Sequence, residues 1–90
     1  MELWIRSQDK DILLKTNSLL VDDNNNDIYT QDFIGENLTT YTLGRYKSKE
    51  RALEVLDEIQ NKLISYLSEF NDSGITLKEV FTVVYEMPEV

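Results

Sequence analysis

Arg45, Lys47, Lys49 and Arg51 place four of the chain's nine basic residues within a single short stretch of a strongly acidic protein. The chemistry such a cluster offers is anion binding. Arginine presents a planar fork that suits phosphate oxygens. A helix that starts among these residues adds outward-pointing N–H groups and the positive end of its dipole. Ser48 is a good N-cap for that helix, with Glu50 in its first turn. Arg6 joins the cluster if the first strand lies beside the one ending at Leu43, and Trp4 and Tyr46 offer flat surfaces for a nucleobase or ribose. A plainer reading stays open. Glu50, Glu54, Asp57 and Glu58 follow at spacings that let them pair with the cations, and surface ion pairs of this kind often carry no function.

Other chemistry is thinly supported. Asp22, Asn24 and Asn26 alternate like the first ligands of a calcium loop. The sixth position is then Asp27 where glycine is required, and the twelfth is Phe33 where glutamate is required. Glu54, Asp57 and Glu58 fall on the polar side of a helix rather than converging as a catalytic pair. No serine has a base partner, and three glycines cannot supply a phosphate-cradling loop. The absence of Cys and His removes thiol nucleophiles, histidine acid–base chemistry, disulfides and the usual zinc ligands. The expectation is a non-enzyme with no cofactor and no metal.

The elements that must position these residues follow from patterning. Ninety residues, 41% of them hydrophobic, form one α+β domain, 1–90, with a thin core. Glu2–Arg6 alternates as a strand, with Leu3 and Ile5 on one face and Trp4 on the other. Ser7–Lys10 is a turn, Asp11–Lys15 a second strand, and Ser18–Val21 an extension or a short third. Asp22–Asp27 is a hairpin loop, because Asn and Asp tolerate left-handed geometry. Ile28–Ile34 and Leu38–Leu43 are strands joined by a turn at Gly35–Asn37, and Gly44 lets the chain bend out. A helix runs from Ser48 to about Phe70, with Ala52, Val55, Leu56, Ile59, Leu63, Tyr66, Leu67 and Phe70 on one stripe. Leu53 and Ile64 lie on its flank, wider than one sheet contact needs, and are the expected oligomer interface. Asn71–Gly74 ends the helix, with Gly74 available for positive φ. Thr76–Glu79 is a helical turn or a strand start, and Val80–Tyr85 is β-prone. The expected architecture is an antiparallel β-meander of four to five strands packed by one long helix, with a returning C-terminal strand.

The net charge of −8 argues against direct binding of nucleic acid or anionic membrane. No apolar run approaches membrane-spanning length, and Met1–Arg6 does not begin a signal peptide, so the chain reads as cytoplasmic.

Three segments carry a resemblance. Trp4-Ile5-Arg6-Ser7-Gln8-Asp9-Lys10, then Leu43-Gly44-Arg45-Tyr46 with Ser48 through Gln60, and finally Tyr85-Glu86-Met87-Pro88 are similar to small proteins of phages and prophages of Gram-positive bacteria. The middle, Asn17–Thr42, does not share in it. In outline the chain also resembles the phage sponge proteins that defeat Thoeris immunity by sequestering cyclic ADP-ribose signals, some of which also bind cyclic oligonucleotides. That resemblance implies a homo-oligomer in the bacterial host cytoplasm that captures a nucleotide signal without catalysis. It implies ligand contacts on Arg6, Ser7, Gln8, Arg45, Tyr46 and Arg51. The rival expectations are an acidic protein–protein inhibitor, such as an anti-CRISPR, a host-takeover factor or a nucleic-acid mimic, and a structural or regulatory dimer without a ligand.

Overall fold

A computed structural model describes residues 2–72 and 82–90 of the chain. Among these described residues, six strands and one helix follow in the order β1 (Glu2–Arg6), β2 (Leu13–Lys15), β3 (Leu20–Val21), β4 (Asp27–Ile34), β5 (Asn37–Arg45), α1 (Lys49–Asp72) and β6 (Thr82–Glu86). The α+β class with one long helix and a C-terminal strand is the observed one. The proposed helix stop at Gly74, the Thr76–Glu79 turn, and Val80 and Phe81 lie outside the described residues, as do the side chains of Tyr66, Leu67 and Phe70.

The strands divide between two three-stranded sheets, ordered β2-β1-β6 and β3-β4-β5. The division has a local cause between β2 and β3. The Thr16 hydroxyl donates to the Ser18 carbonyl at 2.7 Å and accepts from the Ser18 N–H at 3.2 Å. This side-chain turn competes with the ladder and redirects the chain. Buried Thr30 on β4 secures the corner, with its hydroxyl 2.8 Å from both the Thr16 hydroxyl and the Ser18 carbonyl. β1 pairs antiparallel with β2 and parallel with β6. The helix carries the chain back, so the last strand enters in the direction of the first.

Turn chemistry sets the hairpins. Asn26 takes φ 57° in the β3–β4 loop, and Asp22 Oδ1 accepts the Asn24 N–H at 2.8 Å. Between β4 and β5 the loop is Gly35-Glu36. Gly35 has φ 66° at the first central position, as a type II′ turn requires. The register then runs from Ile34 opposite Asn37 to Asp27 opposite Arg45, with one bulge beside Ile28 and Tyr29.

Both sheets and the helix share one core. Ile5 comes from the first sheet, Ile28 and Leu43 from the second, and Ala52, Val55 and Ile59 from one helical stripe. Leu3, Leu14 and Tyr85 pack against it from the inner face of the first sheet. Each fully buried aliphatic side chain contributes about 1.5–3 kcal/mol relative to exposure. No helix among the described residues is long and apolar enough to cross a membrane.

Candidate functional site

The basic cluster forms the corner where β5 enters α1. Ser48 caps the helix, its Oγ accepting the Arg51 N–H at 3.1 Å. Gly44 is needed for the approach to that corner. A Cβ there would sit 2.7 Å from the Tyr46 hydroxyl oxygen, so only glycine lets the Tyr46 ring fold back over the strand.

Three of the expected ligand contacts bind the protein's own backbone. Gln8 accepts the Arg45 N–H on Oε1 at 2.9 Å. Its Nε2 is shared among the carbonyls of Arg45, Pro88 and Glu89 at 3.1, 3.2 and 2.6 Å. Buried Tyr46 donates its hydroxyl to the Pro88 carbonyl at 3.0 Å. Arg51 donates through Nε and Nη2 to the Val90 backbone oxygen at 3.1 and 3.0 Å, and through Nη1 to Glu54 and Glu58 at 3.2 and 3.3 Å. Together they strap residues 87–90 over the helix start, with Met87 buried as the anchor.

The other expected contacts are also engaged. Ser7 is buried, donating to Asp11 at 2.9 Å and accepting the Ile12 N–H at 3.1 Å. Arg6 donates to the Lys10 carbonyl at 2.8 Å. Lys49 pairs with Asp23 at 2.6 Å. Arg45 has the loosest partner, Asp27 at 3.9 Å, and its side chain is 78% exposed.

Titration follows from these contacts. Burial pushes the Tyr46 phenol up to about 12, with Arg51 opposing the rise and Glu58 adding to it. Tyr85 is raised too, first by burial and then by its 2.9 Å hydrogen bond to Glu58. Desolvation works against the Arg51 charge, but hydrogen bonds to Glu58 and Glu54 outweigh it and hold the guanidinium above its usual range. Among the described residues, no group of three or more acidic side chains is placed to hold a metal ion.

The corner's cavity, lined by Arg45, Tyr46, Lys47, Arg51, Glu89 and Val90, has a volume of about 210 Å³. That is below the roughly 300 Å³ at which small-molecule pockets begin.

Patterning did not single out the outer half of the β4–β5 hairpin. Past Thr30 it leaves the core, and every residue from Gln31 to Leu38 is exposed. Phe33, opposite Leu38 in the register, is 69% exposed, Ile34 60% and Leu38 53%. Asp32 and Glu36 flank them. Below this end, a cleft of about 350 Å³ opens between β2, the Asn17–Ser18 corner and β4, with Tyr41 in its lining. Leu53 and Ile64, the expected oligomer flank, are exposed on the helix.

No protein-family model, characterised protein or solved structure matches this chain.

Proposed function

We propose that the chain is a non-catalytic protein-binding factor that presents the β4–β5 hairpin to another protein. The observation that carries this reading is the exposed cross-strand pair of Phe33 and Leu38 on one face of a hairpin that extends past the core, with exposed Ile34 on its other face. Contiguous exposed apolar side chains, aromatic ones above all, characterise contact surfaces. Asp32 and Glu36 beside them, in a chain of net charge −8, suit an apolar pocket with a basic rim. The resemblance to small phage and prophage proteins would make such a factor an inhibitor of a host protein.

A photoreactive residue at position 38 should cross-link to one partner in cells. Isothermal titration with that partner, once purified, should then show Phe33→Asp weakening binding about tenfold. Equal affinity of wild type and Phe33→Asp would refute the reading.

A second reading, capture of a nucleotide signal, is favoured by one observation: Arg45 and Lys47 stand exposed beside the small cavity lined by Tyr46. An anionic ligand would replace the Val90 oxygen on Arg51. Titration with cyclic ADP-ribose isomers and cyclic di- and trinucleotides tests it. Binding lost in Arg45→Ala would support it, and no binding across the panel would sink it.

A further inference from the structure

The outer face of the β2-β1-β6 sheet has no covering layer among the described residues. The inner face packs Leu3, Ile5, Leu14 and Tyr85 on the core. Alternation then puts Trp4, Arg6, Leu13, Lys15, Val84 and Glu86 on the other side, in two cross-strand rows. One row is Val84, Trp4 and Lys15; the other is Glu86, Arg6 and Leu13. Val84 is 49% exposed and Leu13 48%, with half-buried Trp4 on the central strand. β1 and β6 run parallel, and parallel pairs are normally covered on both faces.

Charge identifies what fits there. The face carries Arg6 and Lys15 against Glu2 and Glu86, a local balance of zero in a chain of −8. Lys15 and the Trp4 indole N–H both reach the Glu2 carboxylate, at 3.3 Å each, and Arg6 lies in register with Glu86. Most of this protein's surface repels another copy of itself, whereas this face does not. A two-fold interface apposes one patch with itself, so a patch carrying both signs can set Arg6 and Lys15 against Glu86 and Glu2 where a single-sign patch could not.

We infer that the outer face of the β2-β1-β6 sheet is a homodimer interface centred on Trp4. Three short strands offer far less than the roughly 800 Å² per partner of a standard interface. The dimer is therefore weak and concentration-dependent. It differs from the helix flank at Leu53 and Ile64, and it gives the assembly two β4–β5 hairpins.

Sedimentation equilibrium of the full chain from about 1 to about 500 μM tests the inference, with fluorescence recorded over the same range. The average mass should rise from 10.5 kDa towards twice that value. Trp4 is the sole tryptophan, so its emission should shift to the blue with the same midpoint. Val84→Glu and Lys15→Glu should each weaken association at least tenfold. Leu53→Glu, Ile64→Glu and Phe33→Asp should leave it unchanged. A wild type that stays monomeric, or a Trp4 emission that ignores association, overturns the inference. Association that survives both face variants, or that is lost through the helix or hairpin variants, also overturns it. The fluorescence arm uses unaltered protein, so a variant that fails to fold does not decide the result.

Discussion

The β5–α1 corner and the outer half of the β4–β5 hairpin differ in how much of their binding capacity is already used inside the molecule. At the corner, Gln8, Tyr46 and Arg51 direct their donors to the backbone of residues 87–90, and Lys49 is paired with Asp23. At the hairpin, Phe33, Ile34 and Leu38 have no covering partner among the described residues. A charge cluster is conspicuous in a sequence, but its function depends on whether the fold has already paired it. An apolar pair on a strand is inconspicuous, yet it becomes a contact surface once the hairpin outruns the core.

The largest effect that could break this contrast is on stability. Gln8→Ala combined with Tyr46→Phe should cost about 3 kcal/mol in urea unfolding, since hydrogen bonds of this kind contribute about 0.5–1.5 kcal/mol each. A loss below about 1 kcal/mol would mean that the strap is incidental. Gly44→Ala should follow at about 2 kcal/mol, because the new methyl group meets the Tyr46 hydroxyl at 2.7 Å.

A pH titration sharpens the same point. The folded Tyr46 phenol titrates above its unfolded value of 10, so the neutral form stabilises the fold. That stability is complete below pH 10 and is lost as pH rises from 10 towards about 12. Tyr46→Phe should flatten this alkaline slope in thermal melts, leaving the part that Tyr85 contributes in the same direction.

The smallest stability effects belong to the exposed groups. Phe33→Asp, Leu38→Asp and Arg45→Ala should each change unfolding free energy by no more than about 0.5 kcal/mol.

What was legible in the sequence was local. Ser48 as a cap, the Asx-rich loop at Asp22–Asp27 and the Ala52–Val55–Ile59 stripe each depend on neighbours a few residues away, and each is present. Pairing of the cluster with following carboxylates was legible as well, in Arg51 with Glu54 and Glu58. The Gln8 clamp was not, because its acceptors lie 37 to 81 residues away and meet it only through the fold. The two-sheet split turns on side-chain hydrogen bonds at Thr16 and Thr30, residues that also suit a continuous strand. The exposure of Phe33 and Leu38 depends on where the core ends, which alternation alone does not fix.

The most direct test of the central claim compares two double variants against the partner cross-linked through position 38. Isothermal titration should show Phe33→Asp/Leu38→Asp weakening binding roughly 100-fold, as loss of two hot-spot side chains does, and Arg45→Ala/Lys47→Ala changing it less than about threefold. The reverse order, with the cation variant abolishing binding and the hairpin variant binding like wild type, would contradict the account.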